Sequence, residues 1–141
     1  MPTPIQSVLR RATRNPEGPW NILTFPSHER YEESMCKTGH NFYSIRTSAL
    51  VKQDWNESYA LVPENYCLLP MSPDALRVPP WLSFDMILSQ HKAGQFQIAH
   101  EVARQLQIPL ISMEHRLPMP HNTRAEIAAA QYMLGDVNVF V

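Results

Sequence analysis

Phe84-Asp85-Met86-Ile87-Leu88-Ser89 is followed by a helical pattern, then by Ile108-Pro109-Leu110-Ile111-Ser112-Met113-Glu114-His115, a second helical pattern, and Val137-Asn138-Val139-Phe140-Val141. Short apolar runs that alternate with helices specify parallel strands joined by crossover connections. The polar residues after each run then fall at the carboxyl ends of the strands, where open α/β sheets bind ligands.

The helices fit that arrangement. Over residues 95–107, Phe96, Ile98, Ala99, Val102, Ala103 and Leu106 share an arc of about 160° at ~100° per residue. Gln97, Glu101, Arg104 and Gln105 fall outside it, and His100 lies near its edge. One face of this helix therefore packs on a sheet. Pro109 stands at the start of a strand, where its missing N–H does least harm. The next helix begins with Thr123 and Glu126 at capping-box spacing, and Gly135 fits the position just past its end.

Upstream, Asn21-Ile22-Leu23-Thr24-Phe25 reads as a buried strand. Ser27 is the expected N-cap of a helix over 28–38, in which Glu33 and Lys37 are a favourable i,i+4 pair. Gly39 fits the helix end. A second strand over Asn41–Thr47 completes a β-α-β unit. Residues 48–83 are the least legible, with a short strand expected at Tyr59–Val62 and a turn of helix near Ser72–Leu76. A connection this long is often functional. The chain has 13 prolines against four glycines, and many prolines lie between Pro63 and Pro80. That stretch suits neither a long helix nor a central strand.

Residues 1–19 read as an extension. Arg10, Arg11 and Arg14 occur there without the apolar stretch of a secretory signal. Thr3-Pro4 suits the start of a short basic surface helix; a transit peptide is the competing reading. Residues 20–141 make one α/β domain. The net charge of −1 gives no electrostatic case for nucleic acid. No apolar run reaches the ~18–20 residues that span a bilayer. The two cysteines, Cys36 and Cys67, match no zinc spacing and read as reduced thiols of a cytoplasmic protein.

Three loops leave the expected parallel strands: Pro26-Ser27-His28-Glu29-Arg30, Ser89-Gln90-His91-Lys92 and Glu114-His115-Arg116. Each brings a histidine and a cation, so together they form the best candidate crevice. The bland alternatives are a helix-start residue for His28 and a solvated loop for His91 and Lys92. Glu114-His115-Arg116 is the strongest of the three, because it follows an apolar strand and precedes the rigid Leu117-Pro118-Met119-Pro120. His100 and His121 read as surface residues, and His40 follows a helix end, where the dipole favours a cation. Three histidines from three loops suggest zinc, but no close spacing supports a metal site, and none is expected. There is no Gly-x-Ser-x-Gly elbow, no Gly-x-Gly-x-x-Gly after the first strand and no Walker loop. The first strand also lacks the acidic cluster of a phospho-receiver.

The 84–91 run, the Gln95-Phe96-Gln97-Ile98-Ala99 helix start, and the 108–115 run followed by Pro118 resemble the N-terminal Rossmann-like domain of GT-B glycosyltransferases. The resemblance points in particular to the retaining family 4 type of bacteria and their phages. It covers roughly residues 20 to 141 and is clearest from 84 onward. It implies a Rossmann-like open parallel sheet flanked by helices, as the N-terminal half of a two-domain fold. The function implied is transfer of a hexose from a nucleotide-sugar to a glycan or lipid-linked acceptor in the cytoplasm, with peripheral membrane contact. This domain would face the acceptor. The donor co-substrate and a paired-glutamate motif would belong to a second domain beyond Val141, and no further cofactor is expected. His115 matches the family histidine that reaches the reaction centre. With Glu114 it is the candidate catalytic pair, and His28, Ser89, Gln90, His91, Lys92 and Arg116 are candidate substrate contacts. The family's Gly-rich first loop is absent, which puts a phosphate role for residues 26–30 in doubt. The chain alone is expected to be inactive. The competing class is a non-catalytic flavodoxin-like or Rossmann-like ligand-binding or interaction module.

Overall fold

The computed structural model describes residues 18–46, 54–69, 83–115 and 120–140. The basic segment 1–17, the turn of helix expected at 72–76, residues 116–119 with Arg116, and Val141 lie outside the described residues. Strand β1 (Asn21–Thr24) leads through helix α1 (Glu29–Cys36) to β2 (Asn41–Ser44). Then come β3 (Tyr66–Leu68), β4 (Met86–Ser89), α2 (Lys92–Leu106), β5 (Leu110–Glu114), α3 (Arg124–Gln131) and β6 (Val137–Phe140). The six strands form one parallel sheet in the order β3-β2-β1-β4-β5-β6. The architecture is Rossmann-like α/β, and its order differs from the 2-1-3-4-5 order of flavodoxin-like domains. The order reverses between β1 and β4, so the switch point lies there.

Alternation along each strand builds two cores. Leu23, Ile87 and Leu110 face α2, where they meet Phe96, Ala99, Val102 and Ala103. Ile22, Met86 and Leu88 face the other way, onto Cys36 and Met35 of α1. Both faces of the central strands are covered, so β4 reads as a run without polar interruption until Ser89. Each large aliphatic side chain buried here contributes about 1.5–3 kcal/mol.

Two aspartates close the amino ends of neighbouring strands. The Asp85 carboxylate accepts the Asn21 N–H at 2.9 Å, while the Asp85 N–H donates to the Asn21 carbonyl at 2.8 Å. Asp136 repeats the pattern on Leu110, with both bonds at 2.8 Å. Backbone groups at that edge are thus satisfied internally, which leaves the carboxyl edge as the open one.

Several local expectations change. The N-cap of α1 is His28, whose Nδ1 accepts the Arg30 N–H at 3.3 Å; Ser27 lies one residue before it and its hydroxyl donates to Gln90. The capping box holds: Glu126 N–H donates to Thr123 Oγ1 and Thr123 N–H to Glu126 Oε2, both at 3.1 Å. Gly39 does take φ +86° beyond the end of α1. Gly135 is not a helix-end glycine, since α3 stops at Gln131. It is required by close approach, because a Cβ there would stand 2.7 Å from the Leu110 carbonyl oxygen. His40 Nδ1 accepts the Trp20 N–H at 3.0 Å while its ring stacks on Trp20.

The strand expected at Tyr59–Val62 is a loop, and the strand lies at Tyr66–Leu68 on the sheet edge. The reason is visible in α1. Glu29 and Glu32 of its first turn are 1% exposed. Glu29 Oε1 accepts the Asn56 N–H at 2.8 Å, and Glu32 Oε1 accepts the Tyr66 hydroxyl at 2.7 Å. At the other end of α1, the Asn65 amide donates to the Cys36 carbonyl at 2.7 Å and the His40 carbonyl at 2.8 Å. Residues 54–66 are strapped along α1, and only past Asn65 does the chain reach the sheet.

Burial, followed by the Glu32 charge, pushes the Tyr66 phenol far above its ordinary value of 10.0. A folded pKa raised above the unfolded one favours folding fully below about pH 10 and is lost as pH rises beyond it. Tyr66→Phe leaves Glu32 short of a donor and lowers stability by ~1–3 kcal/mol near neutral pH. In urea titrations that gap is expected to shrink above about pH 10. A gap that stays constant with pH contradicts a buried Tyr66–Glu32 bond.

Candidate functional site

The site is built on the carboxyl edge of β1, β4 and β5. Gln90 forms its floor. It is fully buried just past β4. Its amide donates to Thr24 Oγ1 at 2.9 Å and to the Phe25 carbonyl at 3.4 Å. Its Oε1 accepts the Ser27 hydroxyl at 3.1 Å, and its N–H donates to Gln95 Oε1 at 2.9 Å. Ser89 is buried in the last position of β4, and its hydroxyl donates to the His91 carbonyl at 3.1 Å. These two candidate contacts therefore sit beneath the surface and fix the loop above them.

Helix α2 begins at Lys92, earlier than the expected residue 95. Its first turn holds Gly94 at φ +82°, a left-handed value that side-chain-bearing residues rarely adopt. The Glu114 carboxylate, at the end of β5, meets this turn: its Oε2 accepts the Lys92 N–H at 2.9 Å. A carboxylate there is favoured by the helix dipole. Glu114 Oε1 also lies 3.6 Å from His91 Nδ1, an ion-pair distance longer than a hydrogen bond.

Successive residues at a strand end project to opposite faces. Glu114 reaches α2, and His115 reaches α1. There the edge of the Tyr31 ring meets His115 at 4.6 Å between centroids and 76° between planes. On its other side the His91 ring meets it at 5.6 Å and 65°. Two aromatic edges thus fix the His115 imidazole. Its Nε2 is buried and has no hydrogen-bond partner among the described residues. The Tyr31 hydroxyl contacts Met113 Sδ at 3.8 Å, and burial, then Glu32, raises its pKa.

Lys92 turns inward. It is 6% exposed, with Nζ donating to Ser112 Oγ at 3.3 Å and to the Met133 carbonyl. The ammonium lies 5.7 Å from the Phe96 ring centroid. Burial holds it below its ordinary 10.5, while Glu114 pulls in the opposite direction.

The β1 exit is closed rather than open. Phe25 and Pro26 are buried, and the α1 start is occupied by the His28 side chain. This turn has no glycine that would let a phosphate approach the helix N-terminus. His28 packs instead on Tyr59, with centroids 5.2 Å apart.

The structure therefore brings His91, Lys92, Glu114 and His115 into one cluster. It sets Ser89 and Gln90 below them and His28 on Tyr59. Arg116 lies outside the described residues. Tyr31, Ser27 and Ser112 were missed from sequence. Tyr31 carried one usable signal: it lies three residues after His28, and so on the same side of α1. Chemically, a fixed imidazole with an unsatisfied nitrogen, beside a second imidazole held near a carboxylate, is the kind of pair that handles a hydroxyl or its proton. Among the described residues, no group of three or more His, Cys, Asp or Glu is placed to hold a metal. No helix among them is long and apolar enough to cross a membrane.

Fold and site together define a Rossmann-like α/β domain whose candidate site lies beside its switch point. No protein-family model, curated protein or solved structure matches the chain.

Lys92→Met removes donors from Ser112 and from the Met133 carbonyl, and is expected to cost ~1–3 kcal/mol. A lysine whose folded pKa is lowered makes stability rise with pH between that pKa and the unfolded value. The deficit of Lys92→Met in urea titrations should therefore widen as pH climbs toward 10.5. A variant as stable as the parent at every pH contradicts this account of Lys92.

Proposed function

We propose that this chain is the acceptor-side domain of a GT-B glycosyltransferase, moving a sugar from a nucleotide-sugar to a glycan or lipid-linked acceptor. The supporting observation is the His115 imidazole, fixed between Tyr31 and His91 at the carboxyl edge of a Rossmann-like sheet. An acceptor hydroxyl beside that imidazole would be held in place for reaction. Cytoplasmic location belongs to the same reading, in keeping with the free thiols of Cys36 and Cys67.

Glycosyl transfer also needs the leaving nucleoside diphosphate stabilised as negative charge develops. The buried cation of the cluster, Lys92, is engaged with Ser112 and Met133. The β1 turn is closed by His28. The donor is therefore assigned to a second domain, and the present chain alone is inactive. A non-catalytic Rossmann-like module is the competing reading, favoured by the internal bonds of Ser89, Gln90 and Lys92. A reading frame that continues past Val141 with a second βαβ pattern decides for the transferase.

Where the chain is joined to a donor-binding domain, His115→Ala is expected to lower kcat by about 10²–10³-fold. The assay is release of nucleoside diphosphate, with the unfolding midpoint unchanged. Full turnover by that variant removes His115 from the reaction, and sugar transfer by the isolated chain overturns the division of labour.

A further inference from the structure

We propose that His28 and the tied-down segment Trp55–Val62 form a binding ledge for the ring of a neutral sugar. Tyr59 is 50% exposed, Leu61 76% and Val62 38%. Isolated exposed apolar residues are ordinary, but here three fall within four positions of one fixed loop, the kind of feature that accompanies interaction sites.

The loop is fixed from several sides. The Trp55 indole N–H donates to the Ala60 carbonyl at 2.7 Å, and its ring packs on Tyr66 at 4.8 Å. Asn56 N–H donates to the buried Glu29 at 2.8 Å, and Asn56 Oδ1 accepts the Ser58 N–H at 3.0 Å and hydroxyl at 2.7 Å. Asp54 is paired with Arg46 at 3.0 Å. Little ordering entropy is left to lose when a ligand lands on such a surface.

The chemistry of the ledge matches a pyranose. A sugar ring has an apolar C–H face and a rim of hydroxyls. The Tyr59 ring supplies the apolar plane, tilted 50° against His28. Because His28 Nδ1 accepts the Arg30 N–H, the neutral imidazole carries its proton on Nε2, a donor at an exposed residue. Asn56, Glu57 and Ser58, the residues just before Tyr59, are exposed and polar. The exposed carboxylates of Glu57 and Glu64 count against an anionic membrane, which recruits Lys and Arg. The ledge lies one helical turn from Tyr31, whose ring touches His115. As a subsite for an acceptor sugar it rests on the transferase reading; as a sugar-binding surface it stands apart from it.

The test is saturation-transfer NMR on the full chain with methyl β-D-glucopyranoside and methyl α-D-mannopyranoside. Transfer to the ring C–H protons is expected, about three- to tenfold weaker in Tyr59→Ala and retained in Tyr59→Trp. Amide spectra outside residues 54–63 report that the variants fold. Absence of transfer, or equal transfer in Tyr59→Ala, overturns the ledge. So does a response confined to adenosine monophosphate or to phosphatidylcholine vesicles, run as separate arms. A Tyr59-dependent signal alongside no sugar transfer by the chain joined to a donor-binding domain keeps the ledge and ends the transferase reading.

Discussion

The architecture at the carboxyl edge depends on one buried amide, Gln90. Where the strand order reverses, β1 and β4 are neighbours whose chains leave toward opposite faces. Gln90 ties these exits together, binding Thr24, Phe25 and Ser27 with its side chain and Gln95 with its backbone N–H. A fully buried amide is tolerated only when its donors and acceptors are met, and this one is. With that bond set in place, the chain after β4 turns upward at His91 and back down into α2 at Lys92. The position of His91 follows from that turn, and β5 brings Glu114 and His115 to it.

The same constraint separates two kinds of residue that look alike in sequence. Lys92 and Glu114 are drawn into the fold, the first beneath the sheet edge and the second onto the start of α2. Among the described residues His115 is held by ring contacts, and its buried Nε2 has no hydrogen-bond partner there. Polar groups committed to internal bonds stabilise and orient. His115 is accordingly the centre of the site, Glu114 and His91 are its neighbours, and Tyr31 is the wall that sequence did not point to.

Much of the fold was legible because periodicity is robust over central elements. The β4-α2-β5 unit and the capping box at Thr123 and Glu126 were read directly. The loops that carry histidines were also placed at the right edge. What escaped was set by tertiary contact. Tyr59–Val62 has the composition of a strand, yet Glu29 and Trp55 hold it as a loop. Ser27 is a better intrinsic cap than His28, but Gln90 takes its hydroxyl. Gly135 resembles a helix terminator, whereas the space beside Leu110 demands it. His28 was expected in one crevice with His91 and His115 and instead caps α1 and packs on Tyr59. In each case a side chain more than 20 positions away, or a neighbour's competing bond, overrode the local preference.

The account stands or falls on the convergence of helix α1 and the β4 exit on His115. Nuclear Overhauser contacts among aromatic protons of the full chain measure it directly. The account predicts contacts from the His115 ring to both Tyr31 and His91, whose ring centroids lie 4.6 and 5.6 Å away. A well-dispersed spectrum in which His115 shows neither contact would contradict it.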